Sequence, residues 1–312
     1  MPSSLLDQRF IVLSGKGGVG RTTVAAALAR AVAKTGRRVL IAQTDSVERL
    51  GKMLGQPGPI GSKVRPVAPN IDAVNMTPEE SLHQYALLVL KYETVYRAVF
   101  ANRAVRGFLS AIPGLDAYAM LGKAWWHTTE TRAPGTPKYD MVILDGPASG
   151  HAVAMMRIPR AIMQATPAGP LVKDARALSQ LMADGRRAAF VIVTRPEELP
   201  AKETRELARA ARDELGMVVG PVIVNAMPPA RLSEPPAAQV LDRLPAALGD
   251  TNVDPTLHIA VAVRAHRETA EKVVADLSAD PGLPLISLPW LPATELGLRE
   301  IDVLAAALTA AL

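Results

Sequence analysis

The stretch Phe10-Ile11-Val12-Leu13-Ser14-Gly15-Lys16-Gly17-Gly18-Val19-Gly20-Arg21-Thr22-Thr23 runs from an apolar segment, through a glycine-rich turn, into an alanine-rich one. From Gly15 to Thr22 the spacing is G-x-x-x-x-G-[basic]-[Ser/Thr], between a strand and a helix, which is the pattern of a phosphate-binding loop. The glycines let backbone N–H groups close around phosphate oxygens, and the helix N-terminus adds its dipole. A cation at position 21 neutralises the β- and γ-phosphates, and the Thr22 hydroxyl can ligate Mg²⁺. The loop departs from the usual pattern in two ways. Lys16 is a second basic residue, and Arg21 stands where lysine is customary. The reading is a site for a nucleoside triphosphate, with Gly15 to Thr23 as its phosphate cradle.

Composition bounds the remaining possibilities. The 312 residues are 49% apolar and 21% charged, enough for a large core in one domain or one domain with an insertion. There is no cysteine. Disulfides, a cysteine-ligated metal centre and a thiol nucleophile are therefore excluded. The formal charge is +5, but the basic residues are scattered (Arg37-Arg38, Arg186-Arg187, Arg205 to Arg212) with acidic residues nearby, so no nucleic-acid partner is expected. The N-terminus lacks a basic region followed by an apolar core, and no run of about eighteen apolar residues occurs. The expectation is a cytoplasmic protein without membrane insertion.

Buried-strand patterns alternate with helical ones, predicting an α/β fold: a mostly parallel sheet of about eight strands covered by helices on both faces. Strands are expected at 9–14, 38–43, 71–76, 139–145, 188–194, 217–225, 257–263 and 284–289. Helices are expected near 21–35, 159–184, 200–215, 235–247, 267–279 and 298–311. Residues 1–312 read as one domain, interrupted at 77–133 by an α-helical insertion. Its first helix carries Leu82, Tyr85, Val89, Tyr92, Tyr96 and Val99 at helical spacing, and its second runs from Gly114 to about His127. This aromatic stripe fits either core packing or an interface.

Two carboxylates end buried strands. The run Met141-Val142-Ile143-Leu144 ends in Asp145, where a triphosphate site needs an acid for Mg²⁺, and Gly146-Pro147 follows as a switch loop would. The alternative is that Asp145 merely caps the turn. Asp45 ends Ile41-Ala42-Gln43-Thr44 on the edge facing the ligand crevice of such sheets. It either orients or deprotonates the attacking water, or caps a helix starting near Val47. Asn225 closes another strand; its amide can pair with an adenine edge, or it marks a strand-to-turn exit.

Together these segments resemble the ArsA-type ATPases of the deviant Walker A group. The resemblance rests on Gly15 to Thr23, Gln43-Thr44-Asp45-Ser46, Ile112-Pro113-Gly114-Leu115-Asp116 and Asp145-Gly146-Pro147-Ala148-Ser149-Gly150-His151. It continues through Thr194-Arg195-Pro196-Glu197-Glu198, Glu203-Thr204, Val224-Asn225 and Leu288-Pro289-Trp290-Leu291-Pro292. It implies a P-loop NTPase fold, ATP and Mg²⁺ as ligands, and a homodimer or a heterodimer with a paralogous ATPase. Lys16 would cross to the partner's phosphates, and Asp45 would position the hydrolytic water. Thr22, Asp45 and Asp145 would organise Mg²⁺, partly through water. Asn225 would read adenine beside Pro289 and Leu291, and Gly146, Pro147, Gly150 and His151 would form switch II.

The departures are as specific as the matches. The cysteines of metalloid-binding and zinc-stapled members cannot be present. Ala117 stands where the family often carries a carboxylate, and Ala154 near a position often held by arginine. The insertion is poor in methionine between Met76 and Met120, unlike adaptable client grooves. Arginine at 21 is broader and more planar than lysine, so ATP binding is expected and hydrolysis between near normal and very slow. Three functions follow: an ATP-hydrolysing dimeric switch controlling a protein partner, an ATP-bound weakly hydrolysing subunit paired with a paralogue, or a ParA- or MinD-like positioning ATPase. The last needs a basic amphipathic C-terminal helix, whereas residues 301–312 contain no basic residue.

Overall fold

A computed structural model describes residues 4–90, 101, 114–165, 168–235, 237–242, 255–280 and 282–312. Eight strands form one sheet: β1 (Phe10–Ser14), β2 (Val39–Thr44), β3 (Arg65–Ala68), β4 (Ile71–Met76), β7 (Met141–Asp145), β8 (Ala188–Thr194), β9 (Val222–Met227) and β10 (Leu285–Pro289). A separate hairpin pairs β5 (Thr131–Ala133) with β6 (Thr136–Pro137). The sheet order is β10-β9-β8-β1-β7-β2-β4-β3, and only β3 runs antiparallel to its neighbour.

The central strands are buried on both faces, so they read as continuous apolar runs, and the pleat divides their side chains between two cores. Phe10, Val12, Val142, Leu144, Phe190 and Ile192 face one core. Ile11, Leu13, Met141, Ile143, Val191 and Val193 face the other. Helices α1 (Arg21–Ala33), α2 (Leu50–Met53) and α10 (Leu298–Ala311) supply the second core. Small alanines along α1 let it lie close to the sheet, and Arg30 grips Asp302 of α10 through both carboxylate oxygens, at 2.9–3.1 Å. The C-terminal helix is packed, as its composition predicts, with Ile301, Leu304 and Leu308 buried.

The first core is covered by α4 (Leu115–Thr129), α5 (Ser149–Ala165), α6 (Pro170–Ala183) and α7 (Glu198–Arg209). Helix α3 (Pro78–Leu90) packs on α4 through Tyr85, whose ring meets Tyr118 edge-on. Tyr92, Tyr96, Val99 and the Ile112-Pro113 pair lie outside the described residues. The remaining helices are α8 (Ala237–Asp242) and α9 (Pro255–Ser278).

Several expectations need correction. The strand expected at 257–263 is the first part of α9. An apolar run of that length fits either structure. Here Pro255 starts a helix that Ala, Glu and Lys residues downstream propagate, with Arg264–Glu268 and Arg267–Glu271 pairs at i,i+4. The eighth strand is instead β3, an edge strand of four residues that carries Pro66 and so does not read as a strand. The helix expected at 159–184 is two helices. Pro159 lies inside α5 rather than starting a helix, and Pro170 begins α6 after Gly169. The strand expected at 217–225 spans Val222–Met227, so Asn225 is not its last residue. The helix expected at 200–215 ends at Arg209 and continues as one π-helical turn to Glu214. Of the helix expected at 235–247, the described part is α8; 243–247 lie outside the described residues. Among the described residues, no helix is long and apolar enough to cross a membrane.

Candidate functional site

The glycine-rich loop leaves β1 at the carboxyl edge of the sheet, between β7 and β8, where ligands of open α/β sheets bind. Two of its glycines are required by the protein. A Cβ on Gly15, whose φ is +152°, would stand 2.0 Å from the Val193 carbonyl oxygen at the end of β8. A Cβ on Gly20, φ +92°, would stand 2.2 Å from Asn225 Nδ2. Gly17 and Gly18 differ: a Cβ on either meets nothing within 4 Å. They border the open rim, where bare backbone N–H groups can approach an anion. Val19 and Thr23 are buried and anchor the loop beneath.

The two loop cations part company. Arg21 folds back on its own loop, donating to Gly15 O at 2.6 Å and Lys16 O at 3.2 Å. Burial lowers the pKa of its guanidinium, with Asp145 opposing that shift. Lys16 points outward and pairs with Glu203 of α7, Nζ to Oε1 at 2.8 Å.

Asp145 is buried at the end of β7, its oxygen Oδ2 accepting from Thr22 Oγ1 at 2.6 Å and from Gln43 Nε2 at 3.0 Å. Burial raises its pKa, while the Thr22 and Gln43 hydrogen bonds and the nearby Arg21 charge act the other way. A hard dication suits this donor set of hydroxyl and carboxylate oxygens, and Mg²⁺ characteristically completes its shell with water and phosphate. Among the described residues the buried Gln43 Oε1 has no donor, so an acceptor for metal-bound water sits beside the carboxylate. The residues present fit Mg²⁺.

Asp45 has φ +44°, a left-handed conformation that aspartate tolerates better than most residues. No helix starts at Val47; α2 begins at Leu50, so Asp45 caps nothing. Its backbone N–H donates to Met76 O at 2.8 Å. The next residue is clamped by Asn75, whose amide accepts from Ser46 N at 2.9 Å and donates to Ser46 O at 2.7 Å. Asp45 is exposed, and among the described residues no hydrogen bond links its carboxylate to Thr22 or Asp145.

After Asp145, the Gly146 N–H donates to Leu13 O at 3.0 Å, and a Cβ there would stand 2.8 Å from that oxygen. Pro147 O accepts from Ser14 Oγ at 3.1 Å. Gly150 and His151 lie in the first turn of α5 and are exposed. Thr44, Asp45, Pro147 and His151 share a cavity of about 560 Å³ with Ala117, Met120 and Ala154. Both alanine departures therefore border the space where the two switch-like loops meet the helical layer.

Asn225 Nδ2 donates to Val19 O at 2.9 Å, so the residue braces the loop. Pro289 pairs with Met227 at the end of β10, and Leu291 packs against the core under α1. The loop, Thr22, Asp145 and Asn225 are thus brought together; Pro289 and Leu291 lie along the same sheet edge without a hydrogen bond to the loop. Sequence reasoning gave no role to Gln43, Asn75 or Glu203. A buried polar residue at a strand end was the available signal for the first two.

Fold and loop define a P-loop NTPase. The family model described as anion-transporting ATPase matches residues 8–168, and the chain belongs to that ArsA-type ATPase family. It is 27% identical over 258 residues to the ATPase BagA of Mycobacterium tuberculosis, covering 81% of this chain and 73% of that protein. It is 24% identical over 275 residues to an arsenical pump-driving ATPase of Acidiphilium multivorum, covering 80% of this chain and 46% of that one. An Escherichia coli arsenical pump-driving ATPase gives 24% over 273 residues, covering 78% and 45%. Membership implies nucleotide binding, and ATP hydrolysis is the family's chemistry.

Proposed function

We propose that this chain is a Mg²⁺-dependent ATPase that works as a dimeric switch, its nucleotide state controlling a bound protein partner. The observation carrying this reading is the 2.6 Å hydrogen bond from Thr22 Oγ1 to Asp145 Oδ2. It sets a loop hydroxyl against a buried strand-end carboxylate, the pair that holds Mg²⁺ in P-loop NTPases. The metal, when bound, neutralises charge on the β- and γ-phosphates.

The chain's own residues do the rest. Loop N–H groups from Gly15 to Thr23 hold the phosphates, and Arg21 adds charge from within the loop. Asn225 fixes the loop through Val19 and faces the base along the edge formed with Pro289 and Leu291. Asp45 positions water and, with Thr22 and Asp145, organises the metal's hydration. Gly146, Pro147, Gly150 and His151 form switch II, and the shared cavity passes their movement to the helical layer. Residues 1–312 act as one ATPase domain, with 77–133 as an α-helical insertion. Lys16, delivered to a partner's phosphates, would make hydrolysis depend on dimer closure, an effect comparable to an arginine finger at roughly 10³ to 10⁵ in rate.

The test is single-turnover hydrolysis of ATP with and without Mg²⁺, beside solution mass with and without ATP. Mg²⁺-dependent phosphate release and an ATP-dependent dimer are expected; a chain that binds no Mg–ATP would overturn the reading. A second reading, an ATP-holding subunit paired with a more active paralogue, is favoured by Arg21. Its guanidinium is already engaged by two loop carbonyls. Stable ATP binding without turnover until a paralogue is added would decide for it.

A further inference from the structure

Glu203 of α7 bridges the glycine-rich loop and the start of α5. One carboxylate oxygen, Oε1, meets Lys16 Nζ at 2.8 Å. The other, Oε2, accepts from Ser149 Oγ at 3.3 Å. Ser149 is the first residue of α5, and its backbone N–H donates to Gly15 O at 3.2 Å. One carboxylate therefore ties the loop lysine to the start of the helix that follows Asp145. Its own helix is a firm support: Ala201, Thr204, Leu207 and Ala208 of α7 are buried, and Thr204 Oγ1 donates to Pro200 O at 2.8 Å. The pair itself is accessible, the two side chains being 30% and 31% exposed, and a groove of about 460 Å³ runs beside Glu203 and Ser149.

We propose that Glu203 is a positioning residue that holds Lys16 in reserve, pinning it within its own chain and releasing it when triphosphate arrives. The inference rests on the ATPase reading above. A partly exposed ion pair is weak and salt-sensitive, whereas a triphosphate offers several negative charges within a short reach. The lysine therefore changes partners readily. Once it leaves, the Glu203 carboxylate faces Ser149 without its counter-ion, so the exchange is felt at the first turn of α5. Arg21 takes no part, because its guanidinium is held inside the loop by Gly15 O and Lys16 O.

The experiment is a double-mutant cycle on the apparent Kd for Mg–ATP, a quantity that any dimer closure also shifts by linkage. Wild type, Glu203→Gln, Lys16→Gln and the double variant are compared at low and high salt, with KM and kcat alongside. Glu203→Gln should tighten Mg–ATP by roughly two- to five-fold at low salt, the range an exposed ion pair commands. The gain should shrink at high salt, lower KM more than it changes kcat, and vanish in the Lys16→Gln background. Glu203→Asp, which keeps the charge, should move back toward wild type. A purely structural role would weaken binding whatever residue stands at 16, and that result overturns the proposal, as does an unchanged Kd. A wild type that binds no Mg–ATP overturns the ATPase reading and this inference together; normal binding untouched by Glu203→Gln overturns this inference alone.

Discussion

Gly20 and Asn225 interlock: the amide nitrogen that braces Val19 O at 2.9 Å lies 2.2 Å from where a Cβ on Gly20 would stand. The loop's last glycine is thus needed twice, for its φ of +92° and for the room it gives a side chain arriving from β9. Gly20→Ala should weaken Mg–ATP binding by more than about tenfold, a change of about 1.4 kcal/mol, because it strains the backbone and expels the brace. In an Asn225→Ala background the same substitution should cost less, since only the backbone penalty remains. Calorimetric titration of the four proteins checks this, and equal losses in both backgrounds would count against the interlock.

Arg21 donates to two carbonyls of its own loop, so a phosphate must share or displace those bonds. Arg21→Lys offers a compact ammonium that can leave the carbonyls for the phosphates. The single-turnover rate should rise about tenfold, equivalent to about 1.4 kcal/mol of barrier, with ATP affinity nearly unchanged. Equal rates would sink the idea that Arg21 limits turnover.

What was legible in the sequence, and what was not, follows one physical division. Segments decided by their own pattern read correctly: Phe10 to Thr23 as strand, loop and helix, and the buried runs ending at Thr44, Asp145 and Thr194. The errors fall where neighbours decide. Residues 257–263 alternate like a strand but extend a helix, and β3 exists because β4 offers it an edge. In the site, Thr22 and Asp145 were each legible because each lies in a motif, whereas the hydrogen bond between them appears only in the structure. The Asn75 clamp and the Glu203 contact were not legible, because each joins residues far apart in the chain through side chains that no spacing rule links.

Asp45 combines a left-handed backbone, φ +44°, with an exposed carboxylate. Asparagine tolerates that conformation as well as aspartate does, so Asp45→Asn removes the charge without moving the loop. Mg–ATP affinity should stay within about twofold while the single-turnover rate falls by roughly 10² to 10⁴, the contribution of a well-placed base or water-positioner. Unchanged turnover would remove Asp45 from the mechanism.

Burying Asp145 at the end of β7 is costly to the nucleotide-free fold. Burial lifts its folded pKa above the unfolded value, so above that folded pKa the ionised carboxylate subtracts stability. That penalty fades as pH falls through the folded pKa, because the folded protein takes up the proton before the unfolded chain does. Thr22 and Gln43 both donate to Oδ2, so an asparagine oxygen can accept both bonds. Asp145→Asn should therefore stabilise the nucleotide-free protein at pH 7–8, read as a higher Tm than wild type. The difference from wild type should shrink toward zero below about pH 4, where both states carry a neutral side chain. With Mg–ATP the order should reverse, because the wild-type carboxylate gains a dication and the amide does not. Thermal melts across pH, with and without Mg–ATP, would read out both signs. A variant less stable than wild type at pH 8 without nucleotide would mean that Asp145 is a structural acceptor whose charge the fold already compensates.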